Sequence, residues 1–320
     1  MIFDYIQTIF ISVYDSIIEY SRSLYKFVLR AWTGECEITR ICSYKQGYHG
    51  GEMTRLFARS LKKSKRLLMY SKIVFFLKPF NVSMVYNGII EAKRIRADSN
   101  RFSQVSMINI KHSLQSIRLL NVSYQKIIFL KNTKFDYVVD AHSELLHLLW
   151  DLLMPNISRT PGDKFVDGEA LGFQGKDPST DFRGMGLLGL IQLVYFSQNH
   201  QKIAQNILAD SMAPVYFPFA ATGINITAFI LELMEDFRLH AYFFEKSDKI
   251  LLQSSTESED GPSMEPQCID ESCSLFHEVF CGFFVDFMIL WKRKKPRDLM
   301  AFPEIFKEVK SDYRKKYHRL

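Results

Sequence analysis

From Leu187 to Phe196 the chain reads LLGLIQLVYF, nearly all apolar. A helix that is apolar all round has no face to give to water, so this one is predicted to be buried. Helical spacing recurs around it. FDYVVDAHSELLHLLWDLLMP (Phe135–Pro155) is an amphipathic helix stopped by proline, which cannot continue the hydrogen-bond ladder. Glu52 to Leu77 sets Leu56, Leu61, Leu67 and Leu68 among basic residues and ends ahead of Pro79. Shorter helices are predicted over Met84–Ile95, Met107–Leu120 and Ile203–Met212, and longer ones over Ile224–Phe244 and Leu275–Trp291. A last helix follows KRKKPRD. Residues 97–104 read as a connection, and 253–272, acidic and rich in Ser and Pro, as a mobile loop. Strand-like alternation is weak everywhere and no internal repeat shows, so the fold class is all-α.

The 320 residues suffice for one large domain or two modest ones, and 47% apolar content supports a substantial core. The net charge of +6 is mild, and no nucleic-acid partner is expected. Its distribution is uneven: Arg40 to Lys78 holds ten basic residues and one acidic residue, Glu52. Such a stretch is either a solvated helix face or a surface for an anionic membrane or acidic partner. The N-terminus, MIFDYIQTIFISVYDSIIEYSRSLYKFVLRAW, has ten uncharged residues from Tyr5 to Tyr14, too few for a membrane span. Asp15, Glu19, Arg22, Lys26 and Arg30 fall on one stripe, with Ile17, Ile18, Leu24, Phe27 and Val28 largely elsewhere. This amphipathic helix either packs on the rest of the fold or lies on a membrane surface.

Five cysteines, at 36, 42, 268, 273 and 281, suit reduced thiols in a cytosolic protein. The sequons at Asn81, Asn121, Asn156 and Asn225 matter only in a secreted chain. Cys273, His277 and Cys281 share one helix face, but no fourth ligand is near, and buried thiols are expected there. His142 and His147 are five apart, one too many for a helical zinc pair. No metal or cofactor is expected.

Just before the apolar helix comes LGFQGKDPSTDFRGMGLLGL (Leu171–Leu190), with five glycines and one arginine. Gly184, Gly186 and Gly189 match the dinucleotide fingerprint as a string, but KDPSTDFR ahead of them is a polar turn and not the strand that motif requires. Gly175-Lys176 is no phosphate loop either, because Asp177 stands where Ser or Thr is needed. Read physically, Asp177-Pro178 opens a turn. Ser179, Thr180 or Asp181 is positioned to cap a helix starting near Arg183. Gly184 and Gly186 leave the ground beside Arg183 bare, so another surface can come close. Arg183 then either reaches an anionic site on a partner or pairs with Asp177 or Asp181 and fixes the turn.

LGFQGKDPSTDFRGMGLLGLIQLVYF closely resembles the signature of the ELMO domain family. TGECEITRI (Thr33–Ile41), HSELLHLLWDLL (His142–Leu153), YFPFAATGINIT (Tyr216–Thr227) and FMILWKRKKPRDLMAFPEIF (Phe287–Phe306) resemble further blocks of its short members, in the expected order. The resemblance implies an all-helical ELMO-type domain over 133–315, preceded by the amphipathic helix (1–34) and a helical extension (35–132). It implies a GTPase-activating protein for Arf and Arf-like small GTPases in their GTP-bound form, a catalyst only together with its partner. It makes Arg183 the catalytic arginine, with Gly172, Gln174, Gly175, Asp181, Gly184 and Gly186 as the supporting loop. The implied setting is cytoplasmic, with a membrane surface as a second partner. One departure is Gly168, where the family usually carries tryptophan, so a packing anchor of the loop is expected to be missing. The alternative is the adaptor role of the longer engulfment proteins, which scaffold a Rac exchange factor. Those carry a pleckstrin-type domain and a proline-rich tail for which this sequence has no room.

Overall fold

The computed structural model describes residues 21, 24–43, 50–96, 101–157, 167–211, 217–253 and 266–320. All regular structure among these is helical: α1 (24–33), α2 (Glu37–Cys42), α3 (Gly50–Lys63), α4 (Leu68–Val74), α5 (Val82–Lys93), α6 (Arg101–Asn132), α7 (Asp140–Leu153), α8 (Gly186–Asn199), α9 (Gln201–Ser211), α10 (Phe219–Glu235), α11 (His240–Gln253), α12 (Pro266–Lys294) and α13 (Phe302–Lys316). The all-α expectation is met. The contacts divide the chain into two compact units, 1–74 with 80–115 and 75–79 with 116–320.

In the first unit, Ile38, Phe57, Leu61, Val85, Ile89 and Leu114 form an apolar core. Thr54 Oγ1 donates to Ser113 Oγ within it, and Asn109 Nδ2 donates to the Cys42 carbonyl. The helix expected over Glu52–Leu77 is broken. Ser64 is extended (φ −86°, ψ 110°), and a 3₁₀ turn, Lys65–Leu67, separates α3 from α4. Ser64 Oγ accepts from Lys93 Nζ at 2.8 Å, a contact local periodicity cannot reveal. Asn81 starts α5 by accepting from the Met84 N–H, as an N-cap residue should. Most of the amphipathic N-terminal helix lies outside the described residues. In its described part, Leu24, Phe27 and Val28 are exposed.

In the second unit, α8 lies at the centre, in contact with α7, α9, α10 and α12. Its residues from Gly186 to Leu190 are all buried, as the unbroken apolar run requires. α12 brings Phe276, Phe280, Phe283, Phe284 and Phe287 to the core, each fully buried. Phe284 stacks on Phe196 (4.9 Å) and Phe219 (5.1 Å). α12 is long and apolar enough to cross a membrane, but these rings show its apolar residues serving as core. It starts at Pro266, inside the stretch read as a mobile loop. Proline suits a first helical turn, and Cys268 and Ser272 are already buried there. The helix expected over Ile224–Phe244 also breaks. Phe237 turns left-handed (φ +60°), and the Arg319 guanidinium donates to the Asp236 carbonyl at 3.0 Å. Two expected helices grow: 107–120 becomes the 32-residue α6, and 275–291 becomes the 29-residue α12.

Candidate functional site

The arginine turn is built almost wholly from backbone. Gly168 N–H donates to the Lys176 carbonyl (3.0 Å), while the Gly168 carbonyl accepts from Leu171 and Phe173. A Cβ on Gly168 would overlap the Gly175 carbonyl oxygen. The position expected to lack an anchor is therefore where the loop closes backbone on backbone. Gly172 (φ +77°) accepts from the Ala221 N–H at 3.0 Å, which joins the loop to the start of α10. Asp177 caps the following 3₁₀ turn, Pro178–Arg183, by accepting from the Ser179 N–H at 2.9 Å. Asp181 Oδ2 accepts from the Gln174 N–H at 2.7 Å and so ties the two halves of the loop together.

Below the turn is an aromatic floor. Phe182 and Phe173 are buried with ring centroids 5.4 Å apart, and Phe135 meets Phe182 at 5.2 Å. Phe135 belongs to the segment 133–139, of which sequence periodicity predicts 135–139 to be helical. Helix α7 begins only at Asp140. The segment before it serves the turn instead. The Thr133 carbonyl accepts from the Leu187 N–H at 2.8 Å, and Tyr137 donates its hydroxyl to Asp177 Oδ1 at 2.8 Å. Burial raises the Asp177 carboxyl, but the hydrogen bonds from Tyr137 and Ser179 outweigh it and hold the group below the usual carboxylate range. The Tyr137 phenol is pushed well up by burial first and by Asp177 second.

On this base Arg183 is exposed. Its Nε donates to the Thr180 carbonyl at 2.7 Å. Among the described residues its terminal nitrogens hold no hydrogen bond, and no ion pair joins it to Asp177 or Asp181. The two aspartates are occupied with the turn itself, so the expected Arg–Asp pairing is not what fixes it. Gly184 is open, with nothing within 4 Å of an added Cβ, so bare backbone does adjoin the arginine. Gly175 is open in the same way. Gly186 is different. It is buried at φ +52°, and a Cβ there would overlap the Lys131 carbonyl oxygen and lie 2.6 Å from that of Thr133. It starts α8 against the end of α6 and contributes nothing to the open surface. The turn thus presents a planar, five-donor cation on a rigid base.

Sequence reasoning missed Phe135 and Tyr137, and it assigned Thr180 to capping, whereas Asp177 caps the turn, α8 starts at Gly186 without a side-chain cap, and the Thr180 carbonyl anchors Arg183. The polar and aromatic content of FDY was visible, but its contact with a turn some forty residues away was not. Cys273, His277 and Cys281 face the core, and burial pushes the two thiols up to about 11 and about 12 and the imidazole down to about 4. Among the described residues no group of three His, Cys, Asp or Glu side chains is placed to hold a metal ion.

Residues 125–306 match the model of the ELMO/CED-12 family, and this range contains the whole arginine turn and its aromatic floor. The chain is 32% identical to ELMO domain-containing protein B of Dictyostelium discoideum, over 90% of this chain and 92% of that protein. It is 31% identical to ELMO domain-containing protein 1 of Mus musculus, over 88% of this chain and 83% of that one. It is 30% identical to ELMO domain-containing protein 2 of Homo sapiens, over 92% of this chain and 88% of that one. A turn built on this pattern, in a helical frame that aligns with these proteins over most of its length, makes the chain a member of the ELMO/CED-12 family.

Proposed function

We propose that the chain is a GTPase-activating protein for an Arf or Arf-like small GTPase, and that Arg183 is supplied in trans to the GTP phosphates. The observation that supports this most is the state of the arginine. Nε is anchored to Thr180, the terminal nitrogens hold no hydrogen bond to the described protein, and the adjoining backbone at Gly184 is open. Phosphoryl transfer asks for little covalent chemistry from the protein. Charge on the phosphate oxygens is stabilised by position, and an arginine given in trans is worth about 10³–10⁵ in rate. A guanidinium fixed at one nitrogen loses less freedom when its other two bind. Val138, 84% exposed, stands next to the Tyr137 that holds Asp177, and it offers an apolar contact on the segment that supports the turn. The test is single-turnover GTP hydrolysis across a panel of Arf-family GTPases, with and without the chain. If every GTPase binds without acceleration, the adaptor reading takes its place.

A further inference from the structure

Far along the sequence from the arginine turn, the first unit carries a cleft of about 320 Å³, between the end of α1, the start of α2 and the end of α5. Among the described residues, Arg30, Lys93, Arg94 and Arg96 line it, with one carboxylate, Glu35. Two helix C-termini meet here. The Gly34 N–H closes α1 on the Arg30 carbonyl (2.9 Å), and Arg94, left-handed at φ +55°, closes α5 on the carbonyls of Ile90 and Glu91. A helix C-terminus carries roughly half a negative charge, so the two together offset about one of the three net positive charges on the described lining. The cleft stays cationic. The next acid along, Glu37, already accepts from Lys26 Nζ (2.8 Å) and Ser60 Oγ (2.9 Å). Lys93 is half-buried and pinned to Ser64. Its ammonium is held below the ordinary lysine range, first by burial and then by Arg66 and Arg30, against opposing pulls from Cys36 and Glu37. A desolvated cation crowded by other cations is relieved by a compact anion.

The helix leading into the cleft has the other half of the pattern. On α1, Tyr25, Phe27, Val28 and Trp32 are exposed, Trp32 at 84%. Tyr and Trp side chains settle at the headgroup level of a bilayer, and exposed Phe and Val add apolar contact below it. We propose that the cleft binds the clustered phosphates of a headgroup, with an anionic membrane lipid as the source and α1 resting on the bilayer surface beside it. Arginine forks hold phosphate oxygens in pairs, and Lys93 adds a point charge at the cleft wall. The inference stands apart from Arg183 and survives any outcome at the arginine turn.

The test uses the full chain and vesicles of phosphatidylcholine alone, with phosphatidylserine, or with phosphatidylinositol bisphosphate, the last two matched in charge. Soluble inositol trisphosphate is titrated in parallel. Arg30→Gln with Arg94→Gln empties half the cationic lining, and glutamine is no more strained than arginine at φ +55°. Lys72→Gln with Lys111→Gln removes the same charge from exposed sites of the same unit outside the cleft. Thermal melts confirm that both pairs fold. The expected result is preference for the bisphosphate vesicles, weakened about tenfold or more by the cleft pair and less than about twofold by the control pair. Tight binding of soluble inositol trisphosphate, lost in the cleft pair alone, also supports the phosphate site and moves its source into solution. Equal losses in both pairs, no preference over phosphatidylserine, or no binding to any probe overturns the proposal.

Discussion

At the scale of single residues, the arginine turn separates two kinds of glycine that look alike in GMG. Gly186 is held at positive φ against the carbonyls of Lys131 and Thr133, so Gly186→Ala meets both backbone strain and overlap. It is predicted to cost about 2–3 kcal/mol by urea unfolding. Gly184→Ala has open space and an ordinary φ of −85°, and is predicted to leave stability within about 0.5 kcal/mol. If the partner's surface approaches over Gly184, the same variant lowers activation although it melts like wild type. Tyr137→Phe removes one of the hydrogen bonds that hold Asp177. Bonds to charged groups are worth about 1.5–3 kcal/mol, and the half-buried setting reduces this to about 1 kcal/mol. A variant as stable as wild type would show that Tyr137 does not support the turn.

At the scale of elements, the segment between α6 and α7 connects fold and site. The local spacing of FDYVVD predicts that the helix α7 starts at Phe135, whereas it starts at Asp140. In the structure Phe135 and Tyr137 face the turn, and Val138 is left in solvent. Val138→Asp is predicted to raise the concentration needed for half-maximal GTPase activation at least about tenfold, with the rate at saturation retained. A drop in the saturated rate with unchanged half-maximal concentration would contradict the docking role of this segment. The same contrast explains what the sequence made legible. The apolar run of α8 and the turn opened by Asp177-Pro178 are local, and each lies where the sequence places it. The breaks at Ser64 and Phe237 depend on Lys93 and Arg319, and the left-handed Gly186 depends on the end of α6. Those causes lie far along the chain, and no window of neighbouring residues contains them.

At the scale of the whole molecule, acid sensitivity and activity provide separate readouts. His277 is buried against Tyr195, with its pKa lowered from 6.5 to about 4, first by burial and then by Lys126. Above pH 6.5 neither the folded nor the unfolded chain holds a proton there. Below it the unfolded chain takes one that the folded chain refuses, so stability falls as pH drops and levels off near pH 4. The loss from this group approaches about 3 kcal/mol. His277→Leu is predicted to flatten the stability profile over that window, and an unchanged slope would place the acid sensitivity elsewhere. The most direct test of the central claim is single-turnover GTP hydrolysis with Arg183→Ala and Arg183→Lys, melted in parallel. Arg183 is exposed and, among the described residues, holds only Thr180, so both variants are predicted to melt like wild type. Activation is predicted to fall by about 10³-fold or more in both, about 4 kcal/mol of barrier, because lysine keeps the charge without the planar fork. A variant that melts like wild type and still stimulates hydrolysis within a few-fold would contradict the account.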